Sequence, residues 1–206
     1  MIEVSNDGGL CTLTINRPDK ANSLTPDMLE ALCDGVESAR SARALLLTGV
    51  GKVFSAGADL DAAKAGLALS PLWERLSGAI ARHPGLTIAA LNGTAAGGAL
   101  GMVLACDLRV AVPGTKFFYP VMQLGFLPQP SDPVRLNALI GPSRTKMILL
   151  AGQKIPTEDA LSWGLIDKVV AEDDLMTTAR GLTDHVCAAT PDHVRTIKAM
   201  VSQSMP

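Results

Sequence analysis

Residues 91–107 read LNGTAAGGALGMVLACD, and sixteen uncharged residues precede Asp107. Such a stretch can be a membrane span, a buried packing element, or a backbone surface that binds a ligand. A span needs about 20 mainly apolar residues. Here Asn92, the threonines and the small residues lower the hydrophobicity, and Asp107 and Arg109 follow without an aromatic belt. We therefore interpret the stretch as a strand that turns at Asn92 into a helix opened by Gly97 and Gly98.

Glycines at the start of a helix have two explanations. The first N–H groups of a helix have no internal partner and carry partial positive charge. Without Cβ atoms, Gly97 and Gly98 would let a ligand oxygen approach these donors. Alternatively, glycine and alanine only allow tight packing against a neighbour. The stretch matches neither a dinucleotide nor a phosphate-loop motif and does not decide between the two by itself.

A second stretch repeats the arrangement. Residues 53–60 read VFSAGADL and place a small-residue turn between a buried strand and a predicted helix start. Two such corners, brought together, could direct two backbone N–H groups at one oxygen. That arrangement is an oxyanion hole, which needs no side-chain chemistry.

Strands alternate with helices along the whole chain, which predicts the α/β class with crossover connections. Apolar runs predict strands at 10–16, 44–49, 86–91, 108–112, 116–119 and 166–170. Helices are predicted from Pro26, from Ser70 to about Arg82, after Gly98, over SRTKMILLAG and over TEDALSWG, with two more at the end, the last capped by Thr190.

Composition excludes several classes of protein. The chain has 206 residues and a net charge of -2, and its Lys and Arg are scattered, so nothing favours a nucleic-acid partner. Its four cysteines have no zinc-like or disulfide-framework spacing, which favours buried thiols in a reducing compartment. The N-terminus shows no signal-peptide pattern, so the cytoplasm is the expected location.

Taken together, several segments resemble the enoyl-CoA hydratase/isomerase (crotonase) superfamily in the right order. They are INRPDKANSLTPDMLEAL (15–32), FSAGADL (54–60), NGTAAGGALGMVLACD (92–107), LGFLPQPS (124–131) and GQKIPTEDALSWGLIDKVV (152–170). The resemblance implies a crotonase-like spiral of repeated ββα units over residues 1–175. A C-terminal helical segment, 176–206, is shorter than in the typical member.

The resemblance also implies a function. Family members bind acyl-CoA thioesters, stabilise the enolate between two backbone N–H groups, and form trimers or hexamers. The only cofactor expected is the coenzyme A of the substrate, with no metal. By motif position the two donors are Ala58 and Gly98. The substrate-binding residues implied or suggested are Lys20, Ala21, Ser23, Ala56, Asp59, Leu60, Gly97, Tyr119 and Gln129. Of these, Lys20 is either a phosphate contact or a solvated lysine, and Asp59 is expected to fix its loop.

The chain departs from the family where hydratases carry two glutamates. Those positions hold Gly101 and Val121, neither of which can transfer a proton. Asp132 is a candidate replacement acid or base, and alternatively a turn residue before Pro133. The first hypothesis is therefore a family enzyme with doubtful hydratase activity, which acts as a decarboxylase, hydrolase or isomerase. The alternative is a non-catalytic acyl-CoA binder or assembly subunit.

Overall fold

Two β-sheets of unequal size carry the helices of this chain. The computed structural model describes residues 1–203. The strands are β1 Ile2–Asp7, β2 Leu10–Ile15, β3 Ala44–Gly49, β4 Val53–Ser55, β5 Leu86–Leu91, β6 Thr94–Ala96, β7 Leu108–Ala111, β8 Lys116–Phe118, β9 Ile155–Pro156 and β10 Lys168–Val169. The helices are α1 Pro26–Ser38, α2 Leu60–Lys64, α3 Leu72–Ala81, α4 Ala99–Leu104, α5 Val121–Leu124, α6 Ser131–Leu149, α7 Thr157–Trp163, α8 Leu175–Gly181, α9 Asp184–Ala188 and α10 Pro191–Gln203.

The larger sheet has the order β1-β2-β3-β5-β7-β10, and the smaller has the order β4-β6-β8-β9. Only the outermost pairs, β1 with β2 and β8 with β9, are antiparallel. Successive chain segments give one strand to each sheet: β3 then β4, β5 then β6, β7 then β8. The predicted repeat of two strands and a helical segment is therefore present as a spiral, and the α/β class is confirmed.

The central strands β3 and β5 are mainly apolar because helices cover both faces of the larger sheet. On one face, α1, α3 and α4 enclose the main core, which includes Leu13, Leu47 and Leu100. On the other face, Leu46 and Ile88 pack with helix α8. No helix within residues 1–203 is both long and apolar enough to cross a bilayer. The uncharged stretch 91–107 is instead divided between the end of β5, strand β6 and helix α4.

Helix starts follow the sequence closely. The Thr25 hydroxyl accepts a hydrogen bond from the Met28 amide at 3.3 Å, and that of Thr190 accepts one from the His193 amide at 3.4 Å. Three expectations about elements were wrong. Among the described residues, the chain after β10 holds three helices rather than two, the strand expected at 166–170 is limited to Lys168–Val169, and the segment 49–60, expected to be a loop, contains strand β4.

Candidate active site

The first corner joins β4 to α2 through Ala56, Gly57 and Ala58. Gly57 has φ +90°, a left-handed conformation that favours glycine. A Cβ atom on Gly57 would lie 2.7 Å from the Ala96 carbonyl oxygen and 3.3 Å from the Gly98 nitrogen. The second corner therefore packs directly against the first.

The second corner joins β6 to α4. Gly97 has φ +56°, and its N–H donates to the Phe118 carbonyl at 3.1 Å, which ties the corner to β8. Gly98 precedes the first residue of α4, and a Cβ atom there would lie 3.0 Å from the Trp73 ring. Gly97 is thus favoured by its backbone conformation and Gly98 by its close contact with Trp73, as the packing interpretation of this stretch predicts.

Two amides at these corners are left without acceptors. Backbone groups beside them are hydrogen-bonded. The Leu24 amide donates to the Gly57 carbonyl at 2.7 Å, and the Asp59 amide donates to the Leu24 carbonyl at 2.9 Å. The Ala58 and Gly98 amides donate to no group within the part of the chain that the structure describes. Ala58 and Gly98 are partly exposed, so both N–H groups remain open to an acceptor on a bound ligand.

Both residues line a single cavity of about 210 Å³. Its wall is largely apolar. It consists of Ala56, Ala58, Leu60, Ala63, Ala68, Trp73, Gly97, Gly98, Tyr119, Pro120, Val121, Leu124, Phe126, Leu127 and Gln129. The structure thus brings seven of the predicted residues together here: Ala56, Ala58, Leu60, Gly97, Gly98, Tyr119 and Gln129.

The predicted turn at Lys20, Ala21 and Ser23 lies beside the first corner but outside the cavity wall. The Ala21 carbonyl accepts a hydrogen bond from the Ala56 amide at 3.0 Å. The Ser23 hydroxyl accepts one from Arg17 Nη1 at 3.2 Å, and the Lys20 side chain is exposed. The turn therefore supports the corner through its backbone.

Asp59 holds its loop in place. Its Oδ1 accepts from the amides of Asp61 and Ala62 at the start of α2, and its Oδ2 accepts from Arg17 Nη1 at 2.9 Å. Hydrogen bonding to Arg17 and to these amides lowers the pKa of the Asp59 carboxyl. No pattern in the sequence distinguishes Arg17, although it lies in the same RPDKAN turn as Lys20.

Asp132 lies behind the cavity wall rather than in it. Its side chain is 0% exposed, and a Cβ atom on Gly101 would lie 2.8 Å from Asp132 Oδ1. The carboxylate thus fills the space that a side chain at 101 would need. Val121, at the other family-glutamate position, is buried and contributes only hydrocarbon to the cavity.

The electrostatics of Asp132 are unusual. Neither carboxylate oxygen meets a described donor with hydrogen-bonding geometry, and the Arg135 guanidinium is 3.8 Å away. Burial raises the pKa of Asp132 to about 6, against the lowering influence of the nearby Tyr119 hydroxyl and of Arg135. Burial, with Asp132 as a further cause, raises the pKa of Tyr119 well above its ordinary value, so this phenol stays protonated.

Sequence reasoning missed Trp73, whose ring forms part of the cavity wall. The Trp73 indole N–H donates to the Leu67 carbonyl at 2.8 Å, which fixes the ring against the second corner. Its helical spacing in the sequence is that of an ordinary core residue. Only the contact between the Trp73 ring and Gly98, seen in the structure, places Trp73 at the cavity.

A larger cavity of about 660 Å³ lies along α10 and holds none of the predicted site residues. Its wall is mostly aliphatic and includes the exposed His185 and His193. Neither glycine corner borders it, so we place the chemistry at the smaller cavity.

Comparison with known proteins agrees with this geometry. Residues 5–205 match the family model described as enoyl-CoA hydratase/isomerase. The short-chain-enoyl-CoA hydratase of Clostridium acetobutylicum is 31% identical over 215 residues, which covers 98% of this chain and 81% of that protein. The 1,2-epoxyphenylacetyl-CoA isomerase of Escherichia coli is 33% identical over 190 residues, 86% of this chain and 72% of that protein. A crystal structure of enoyl-CoA hydratase from Bacillus anthracis superposes with a TM-score of 0.89 at 29% identity, covering 98% of this chain and 82% of that one.

Proposed function

Because the chain belongs to the enoyl-CoA hydratase/isomerase family, we propose that it binds an acyl-CoA thioester and stabilises its enolate between the Ala58 and Gly98 amides. The observation that carries this proposal is the pair of unused amides at two touching corners of one cavity. As the enolate forms, negative charge moves onto the thioester oxygen. Fixed donors at that point typically contribute about 3–4 kcal/mol each to lowering the barrier.

The apolar wall suits an acyl group, and it also limits the reaction. Water addition needs one group that activates water and one that delivers a proton to the α-carbon. Gly101 and Val121 can do neither. We therefore expect slow hydration of crotonyl-CoA, and a reaction that needs no activated water, such as isomerisation or loss of carbon dioxide from a 2-carboxyacyl thioester.

The test compares two substitutions at one position. Gly98→Pro removes the amide proton, whereas Gly98→Ala keeps it and brings the same Cβ atom against Trp73. The variants are assayed against crotonyl-, butyryl- and malonyl-CoA for any conversion, including deuterium uptake at the α-carbon in D2O. We expect kcat/KM of Gly98→Pro to fall about 10²–10³-fold below that of Gly98→Ala.

Equal activity of the two variants would show that the Gly98 amide does not hold the developing charge. If these thioesters bind to the unsubstituted protein without any conversion, the protein is an acyl-CoA binder or assembly subunit instead.

A further inference from the structure

The cavity wall contains one hydroxyl group, that of Tyr119. Three lining side chains carry N–H or O–H groups: Trp73, Tyr119 and Gln129. The Trp73 indole and the Gln129 amide donate to the carbonyls of Leu67 and Ala68, at 2.8 and 3.2 Å. The Tyr119 oxygen accepts from the Gln129 backbone amide at 3.4 Å, and its own proton is donated to no described group.

Gln129 joins Asp132 to this hydroxyl. Its backbone amide donates to the Tyr119 oxygen at 3.4 Å, and its carbonyl accepts from the Asp132 amide at 3.0 Å. Each of the two side chains also shifts the pKa of the other, as expected for neighbouring groups. The other charged groups that face Asp132 are Arg135 on the same helix and Glu74 on α3. Glu74 already accepts hydrogen bonds from the Ser131 amide and hydroxyl, at 3.0 and 2.8 Å. Asp132 is therefore fully buried, its carboxylate oxygens accept no hydrogen bond from a described donor, and Gln129 connects it to the cavity-lining Tyr119.

We propose that Tyr119 carries the proton to and from the α-carbon of the acyl thioester, with Asp132 as the proton acceptor and donor behind it. This inference rests on the proposed function, because it presumes an enolate at the Ala58 and Gly98 amides. Tyr119 is the catalytic residue in this scheme, and Asp132 is a positioning residue that acts through it.

The proton transfer balances without another reactant. When the α-carbon–hydrogen bond breaks, its proton moves to the Tyr119 oxygen and its electron pair enters the enolate. The original Tyr119 proton moves to an Asp132 oxygen, which neutralises that carboxylate. Reversal of both transfers protonates the enolate and restores Tyr119 and Asp132. Tyr119 and Asp132 would thus supply the proton transfer that the side chains at positions 101 and 121 cannot perform.

The test is deuterium exchange at the α-carbon of butyryl-CoA in D2O, followed by mass spectrometry. Butyryl-CoA has neither a double bond nor a leaving group, so uptake reports proton removal and return alone. We expect Tyr119→Phe to lower the exchange rate about 100-fold or more, and Asp132→Asn to lower it strongly. The control is Thr115→Val, which removes another buried, unpaired hydroxyl away from the cavity. Calorimetric binding of butyryl-CoA shows whether each variant keeps its site.

The pH profile separates proton transfer from a structural role. Removal of the α-proton requires ionised Asp132, so exchange by the unsubstituted protein should rise as the solution passes through about pH 6. It should level off above that value. In Asp132→Asn this rise should disappear, and a variant that is merely less stable would keep it.

The exchange and binding measurements distinguish failure of this inference from failure of the proposed function. Exchange that survives in Tyr119→Phe, or a rise through pH 6 that survives in Asp132→Asn, overturns the inference and leaves the proposed function in place. Binding of butyryl-CoA without any exchange by the unsubstituted protein overturns the inference and favours the non-catalytic binder. Absence of both binding and conversion across the thioester panel overturns the proposed function itself.

Discussion

Among residues 1–203, no donor makes a hydrogen bond to the Asp132 carboxylate that would offset the cost of burying its charge. A buried carboxylate without donors is normally neutralised or excluded from a core. Here the residue is kept at the start of α6, against the one position of α4 that lacks a side chain, Gly101. An unfavourable group held so specifically points to a use, as proposed for the pair with Tyr119.

The burial of Asp132 gives a stability prediction with a definite sign. Its pKa is raised from an ordinary aspartate value near 4 to about 6 in the folded chain. The folded state therefore binds this proton more tightly, so the associated stability is fully present below pH 4. It is lost as pH rises through about 6, by on the order of 2–3 kcal/mol.

Asp132→Asn removes this dependence. The free energy of unfolding of the variant minus that of the unsubstituted protein should increase between pH 4 and pH 7, as measured by urea denaturation. Other titrating groups cancel in the difference. A difference that stays constant over this range would show that Asp132 titrates normally.

At this scale the sequence predicted part of the site. Ala58, Gly98, Tyr119 and Gln129 line one cavity, and motif position alone selected the first two. Asp132 was selected as a nearby carboxylate, but its burial behind Tyr119 depends on how α6 packs on α4, and no local pattern encodes that contact. Whether these residues have the proposed roles stays a prediction.

At the scale of elements, both corners have the same construction: a three-residue strand, a glycine with positive φ, and a short helix. Such short strands have no detectable period, which explains why β4 and β6 were not predicted. The longer strands β2, β3 and β5 and the helices α1, α3 and α10 were predicted nearly to the residue. These strands have clear apolar runs, and these helices have clear apolar periodicity and residues typical of helix starts.

Helix α2 has only five residues and depends on its cap. Asp59→Ala removes the acceptor for the Asp61 and Ala62 amides and also the link to Arg17. We expect faster hydrogen–deuterium exchange of the amides at 60–64 and weaker acyl-CoA binding, because Leu60 and Ala63 line the cavity.

Asp61→Ala is the matched control for this change. Asp61 is an exposed first-turn residue with a 3.7 Å contact to Lys64, and its loss should leave exchange and binding nearly unchanged. Equal effects of the two variants would remove the special role of Asp59.

At the scale of the whole molecule, successive turns of the spiral touch through backbone atoms. A Cβ atom on Gly93 would lie 2.0 Å from the Lys52 carbonyl oxygen, and one on Gly85 would lie 2.3 Å from the Arg43 carbonyl oxygen. These glycines lie on either side of β5. No sequence pattern distinguishes these two glycines, because the close backbone contacts that require them form only when one turn of the spiral packs on the next.

We therefore expect Gly93→Ala to destabilise the fold by about 2 kcal/mol or more, because two backbone segments must separate. Gly181→Ala serves as the reference, since Gly181 closes helix α8 and a Cβ atom there meets nothing within 4 Å. That change should be neutral or slightly stabilising. Comparable melting temperatures for the two variants would contradict the close stacking of the turns.

The overlap between position 101 and Asp132 also constrains how this protein could have diverged. In an ancestor with glutamate at 101, aspartate could enter at 132 only after that glutamate had been lost. Once aspartate is established, a side chain at 101 and the Asp132 carboxylate compete for one space, so glutamate can return at 101 only if the Asp132 side chain moves or is replaced.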